Sequence, residues 1–162
     1  MAMNVDFKGV EVGGLACATS STTFVAGRAV GLLAGTGVST PLASSRVLGL
    51  IKEHMIAGVL DEVNGQFGIY GAKKATVLME GVATIQQSVI NGISYSVYNQ
   101  ALTYAIGDIL YATPASGVLT NAFPTAGSVV GGLTSSRVGR VLKAPANPAN
   151  GDPMQLTVSC GL

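Results

Sequence analysis

Glycine interrupts almost every apolar run of this chain. There are 22 glycines in 162 residues, and many fall inside the runs: "RAVGLLAG" (28–35), "RVLGLIKE" (46–53) and "VLMEGVATIQ" (77–86) are each broken from within. A glycine inside a helix costs about 1 kcal/mol relative to alanine. The residues around these glycines are mostly Val, Ile, Leu and Ala. Such runs suit strands, where an interior glycine marks a bulge or a close backbone approach. Only residues 52–60 tolerate a helical reading, and Gly58 weakens it.

Strand signals recur along the rest of the chain. "VEVGGLACA" (10–18) alternates weakly. "KKATVLMEGVATIQ" (73–86) reads as a strand pair or one bent strand, with Thr76, Leu78 and Glu80 on one face and Val77 and Met79 on the other. "GISYSVYN" (92–99) alternates Ile93, Tyr95 and Val97 against Ser94, Ser96 and Tyr98. "DILYA" (108–112), "GVLT" (117–120), "SRVGRVLKA" (136–144) and "PMQLTVS" (153–159) complete the set. Asn64-Gly65 is a hairpin turn leading into "FGIYG" (67–71). Gly107-Asp108 is a turn, and Pro114 and Gly117 supply the turn of a second hairpin. Pro153 opens the last strand, where it removes no ladder bond.

Many short strands at roughly ten-residue spacing predict an all-β fold, a compact β-barrel or β-sandwich of short antiparallel strands. A parallel α/β fold needs intervening helices that are missing from the pattern. Residues 1–45 are richer in Ser, Thr and Gly and carry only Asp6, Lys8, Glu11 and Arg28 as charges. They read as an N-terminal arm or a set of long loops and strands, folded back on the domain or onto a neighbouring subunit. Residues 46–162 form the expected core domain.

The charge balance narrows the function. The formal net charge is +1 and charged residues are 10% of the chain, against about 25% in an average soluble protein. Nucleic-acid and anionic-membrane binders need a dense basic face, so neither partner is expected. A small domain normally relies on surface charge to stay soluble and monomeric. The shortage predicts a surface covered by copies of the chain or by a larger assembly; a surface rich in Ser, Thr, Asn and Gln is the alternative. The uncharged window 81–107 contains Gln86, Gln87, Asn91, Asn99 and Gln100, so it does not read as a membrane span. The opening "MAMNVDFKGVEV" lacks the basic and apolar regions of a secretory signal, and none is expected. Cys17 and Cys160 read as free thiols, with pairing left open.

No constellation of reactive residues emerges. His54, the one histidine, lies beside Glu53 and near Asp61 and Glu62. No recognisable nucleophile motif accompanies it, so a solvated or capping role is expected. One His and two distant Cys cannot form a structural zinc site. "DEVNGQFG" (61–68) lacks the acidic alternation of a calcium loop. The glycine-rich stretches lack the Lys-Ser/Thr ending of a phosphate loop. Lys73-Lys74 suits edge protection better than a carrier lysine. Arg137, Arg140 and Lys143 form the densest basic cluster, solvating a strand or meeting an acidic partner. No cofactor or metal is expected.

Taken in order, "RVLGLIKE…AGVL", "VLMEGVATIQ", "AIGDILYA…GVLT" and "SRVGRVLKA…GDPMQLTV" resemble the small β-rich capsid decoration, or cement, proteins of tailed phages. Gly107, Asp108 and Tyr111 occupy that family's Gly-Asp-x-Leu/Val-Tyr strand, and Leu119 and Thr120 the hairpin that follows. Val138, Gly139 and Arg140 occupy its Val-Gly-Arg-Val-Leu strand, and Gly151 the turn before the terminal strand. The resemblance spans residues 46–158; residues 1–45 do not match.

The resemblance implies a non-enzymatic virion protein made in the host cytoplasm. It would bind the outer surface of the phage head, often as a homotrimer, and bridge subunits of the major capsid protein. An N-terminal arm able to add a strand to a capsid sheet edge would use Phe7, Lys8 and Phe24 as contacts. Deleting residues 1–25 is then expected to abolish capsid binding and spare the fold. A tail or fibre structural protein is one alternative. A carbohydrate-binding adhesin is another, though it wants exposed aromatics, and the chain has no Trp, four Phe and five Tyr. Tyr95, Tyr98, Tyr104 and Tyr111 read as strand core or cross-strand partners.

Overall fold

The computed structural model describes residues 3–16, 23–33, 37–41, 46–54, 74–90, 92–122 and 137–160. In chain order the strands are β1 (Met3–Ala16), β2 (Ala29–Leu33), β3 (Gly37–Ser39), β4 (Val47–Ile51), β5 (Lys74–Ile85), β6 (Ser88–Ile90), β7 (Ile93–Tyr95), β8 (Ile109–Ala112), β9 (Leu119–Thr120), β10 (Arg137–Lys143) and β11 (Met154–Ser159). The described residues contain no α-helix. The fold is all-β: one curled antiparallel sheet forming a half-barrel, plus the two-stranded β6–β7 ribbon.

β5 organises the sheet. One of its edges pairs with β1 over its whole length, from Met3 opposite Ile85 to Ala16 opposite Lys74. Its other edge is divided. β4 takes the first half, with Leu50 opposite Leu78 and Ile51 opposite Val77. β11 takes the second half, from Ser159 opposite Glu80 to Met154 opposite Ile85. From this fork the sheet runs through β4, β2 and β3 in one direction and through β11, β10, β8 and β9 in the other.

The faces of β5 explain its apolar run. Ala75, Val77 and Met79 pack with Phe24, Val30, Val38 and Ile51 on one side. Leu78 faces the main core. Beyond Gly81 the alternation changes phase, because Ala83 and Ile85 now face the main core while Val82 and Thr84 are half-buried on the outer side. Burial on both faces gives the near-continuous hydrophobic sequence expected of such a strand. Of the two readings of this stretch, a strand pair or one bent strand, the structure has the bent strand.

The main core gathers Leu50, Leu78, Ile85, Leu110, Leu119, Met154 and Leu156 around Tyr98 and Tyr104. The two tyrosine rings meet edge-on, with centroids 5.4 Å apart. Each hydroxyl donates to a backbone carbonyl, Tyr98 to Asp152 at 2.6 Å and Tyr104 to Asn99 at 2.8 Å. Burial pushes the Tyr98 phenol up to about 12.

The C-terminal hairpins follow the sequence reading. β8 and β9 pair across a turn closed by Thr113 and Val118. β10 and β11 are joined by a 3-10 turn, Pro148–Asn150, whose Ala149 amide donates to the Asn147 side chain. Of the two placements expected for residues 1–45, the described strands take the first: residues 3–16, 29–33 and 37–39 fold back on the domain as strands of its own sheet. Two other expectations change. The alternation of "GISYSVYN" stops at Tyr95, because the chain bends and Val97 and Tyr98 are both buried beside Leu119. Residues 52–54 are not helical. The remainder of the 52–60 stretch, the Asn64-Gly65 turn, "FGIYG", Asp61, Glu62, Lys73 and Cys17 lie outside the described residues.

Candidate interaction surface

The three residues expected to anchor a free arm occupy other settings. Phe7 and Lys8 lie in β1, their backbones opposite Val82 and Gly81 of β5; their side chains lie outside the described set. Phe24 is 2% exposed and packs against Val30, Val38, Ile51 and Val77. It is a core residue, because the small cluster beside β5 has no other aromatic to fill it among the described residues. Deleting residues 1–25 would remove β1 and Phe24 together, so that deletion is expected to disrupt the fold rather than spare it.

His54 meets Ser88, which raises the question of a nucleophile. The Ala26 amide donates to His54 Nδ1 at 3.1 Å, and Ser88 Oγ lies 3.3 Å from Nε2. A neutral imidazole that accepts at Nδ1 carries its proton on Nε2. Nε2 therefore donates to Ser88 Oγ, the reverse of the transfer that activates a serine. The neighbouring acid is engaged elsewhere: Glu53 Oε2 accepts the Thr76 amide at 3.0 Å. His54 thus ties the turn before β2 to the start of β6.

The other reactive types are also committed to structure. Cys160 is buried, and loss of solvent pushes its thiol up to about 12. Lys52 pairs with Glu11 at 2.8 Å, joining the end of β4 to β1. Asp6 accepts from Thr84 Oγ1 at 2.6 Å and Gln155 Nε2 at 2.9 Å, crossing from β1 over β5 to β11. These donors hold its carboxyl below the usual range. Asp108 is held low in the same way by the Ala105 amide and the Asn121 side chain. Arg140 donates to the Gly107 carbonyl at 2.9 Å, and Arg137 and Lys143 are exposed on the same strand. Among the described residues no group of three or more His, Cys, Asp or Glu is placed to hold a metal ion.

One end of the half-barrel differs from the rest of the surface. There β5 ends, β11 begins, β10 ends and the turn before β8 arrives, as shown by the pairs Ile85–Met154 and Gln155–Lys143 and by the Gly107 amide on Val141. Elements leaving this end carry four exposed large apolar side chains: Val89 (67%), Ile93 (56%), Ile106 (76%) and Leu142 (39%). Val10 and Leu32 are the other two exposed large apolar residues among those described.

Val89 and Ile93 sit on the β6–β7 ribbon. Gly92, which leads into β7, has φ +77, a conformation that glycine adopts without strain. Asn-Gly between apolar runs is a strong hairpin signal. It was hidden in the sequence by the longer alternation that begins at Gly92. A two-stranded ribbon is marginal in water by itself. This one is tied down by Ser88 to His54 and by a chain of amides: Ser96 Oγ donates to Gln100, Gln100 to Gln87, and the Gln87 amide to the Gly151 carbonyl.

Tyr98 and Tyr104 are enclosed in the core, so they are not stacking platforms for sugar. No protein-family model matches the chain, and no curated protein matches it.

Proposed function

We propose that this chain is a non-enzymatic structural protein of a phage virion. It binds the outer surface of the head and stabilises it by bridging subunits of the major capsid protein. The observation that carries this reading is that the elements leaving one end of the half-barrel carry four large exposed apolar side chains, on a chain with few charges. Large apolar side chains held in water favour a protein partner. The order of the sequence motifs supports the same reading. Self-association, with a trimer as the favoured state, would multiply individually weak contacts by avidity.

The test is co-sedimentation of the purified protein with heads from its source particle that lack it. Wild type is expected to pellet with the heads. The double variant Val89→Ser, Ile106→Ser is expected to keep its thermal midpoint and stay in the supernatant. Wild type left in the supernatant at saturating heads would contradict the proposal.

A further inference from the structure

We infer that Arg28, laid against Tyr95 at the base of the β6–β7 ribbon, receives an Asp or Glu side chain of the capsid subunit. This inference rests on the proposed function and names the chemistry of its contact. Arg28 closes the 25–28 turn just before β2; its amide donates to the Val25 carbonyl and its carbonyl accepts from the Ile51 amide. The side chain reaches the ribbon. Its Nε donates to the Ser96 carbonyl at 2.8 Å, and its Cζ lies 5.9 Å from the centre of the Tyr95 ring. Two contacts therefore fix the plane and direction of the guanidinium. With Nε engaged, the fork formed by Nη1 and Nη2 has the geometry that takes a carboxylate through two parallel hydrogen bonds.

No carboxylate of the described residues fills that fork. Glu11 pairs with Lys52, Glu53 accepts Thr76, Asp6 accepts Thr84, Asp108 accepts Ala105 and Asn121, Asp152 accepts the Asn147 amide, and Glu80 is exposed in mid-β5 opposite Val10 and Ser159. Yet Arg28 is half-buried, and loss of solvent lowers its pKa. A cation withdrawn from water without an opposite charge is unfavourable until one arrives. The surroundings suit a protein contact. Cross-strand partners point to the same side of a ribbon, so Tyr95 and Ser88 share a face with Ile90 and Ile93. Ile93 is exposed. Arg and Tyr beside an aliphatic rim is the composition that dominates protein interfaces. The partner that fits is an acidic side chain framed by apolar residues.

The experiment compares binding of wild type and Arg28→Lys to purified heads, with thermal midpoints measured alongside. Arg28→Lys keeps the charge and loses the two-pronged geometry, so affinity is expected to fall about tenfold or more. In parallel, arginines of wild type are modified with phenylglyoxal, free and bound to heads, and mapped by mass spectrometry. Arg28 is expected to be protected in the complex while Arg46 stays reactive. Wild type that binds with Arg28 still modified, or a folded Arg28→Lys that binds as tightly, overturns this inference and leaves the proposed function standing. Wild type that does not bind overturns both. If Arg28→Lys fails to fold, the footprint of wild type decides.

Discussion

Replacing Gly139 with alanine tests the register of β10 against β11. A Cβ at this position would lie 1.7 Å from the Thr157 carbonyl oxygen and 2.8 Å from its carbon. A carbon normally approaches a carbonyl oxygen to about 3.3 Å, so the strands must part locally by roughly 1.5 Å. Both obstacles are backbone atoms, so no side-chain rotation relieves them. The Gly139–Val158 and Arg140–Thr157 pairs sit at this point. Weakening two ladder bonds costs about 1–2 kcal/mol in total. Val138 and Val141, both buried on the core side, must move with the strand, and such overpacking costs a further ~1–3 kcal/mol. The expected loss is about 2–5 kcal/mol. In urea, with a slope of about 2 kcal/mol per molar for a domain of this size, the midpoint falls by roughly 1–2.5 M. Gly107→Ala is the comparison: its φ is +92, and its Cβ meets nothing within 4 Å. Only backbone strain of about 1 kcal/mol is expected there. A Gly139→Ala protein no less stable than Gly107→Ala would refute the close approach of β10 to β11.

Three other outcomes follow from the same structure. Asp6 has a depressed carboxyl pKa, so its contribution is present above the unfolded value of about 3.9 and is lost as pH falls through the lower folded value. Asp6→Asn should therefore lose less stability than wild type between pH 6 and pH 3 in urea titrations; identical losses would show that the Thr84 and Gln155 contacts do not favour the carboxylate. Cys160 should be unreactive toward a thiol reagent in the native state and react fully in denaturant, scored in a Cys17→Ser background; native-state labelling would contradict its burial. Ala115 has φ +64, a left-handed conformation that glycine adopts at lower cost, so Ala115→Gly should raise stability by about 0.5–1 kcal/mol; a lower melting temperature would contradict the turn geometry.

The strand ladder of the C-terminal half was legible because its signals are local. Pro114 and Gly117 between apolar runs, and the turn before Pro153, specify hairpins without reference to the rest of the chain. β1 was not legible in the same way. Its register shifts beside β5 between Val5 and Phe7, Lys8 and Val10, Val10 and Glu11, and Val12 and Leu15. Each bulge resets the period-two pattern on which strand recognition depends. Phe24 looked like an arm residue because its neighbours are Ser and Thr; what buries it is β5, some fifty residues away, together with β2, β3 and β4. The phase change at Gly81 likewise depends on which strand lies across each half of β5. Arg28 appeared as one charge in a charge-poor segment, and its setting rests on Ser96, separated from it by 68 positions. The ribbon turn was missed for a different reason: its Asn-Gly signal stands in the sequence but borders the longer alternation of residues 92–99.

The most direct test of the structural role is the copy number of this protein in purified virions, measured by quantitative mass spectrometry against the major capsid protein. A ratio near one to one or a simple fraction of it is expected, as a protein repeated over the head lattice requires. A few copies per particle would place it in the tail or a fibre and contradict head binding, and its absence from the virion would contradict the structural role altogether.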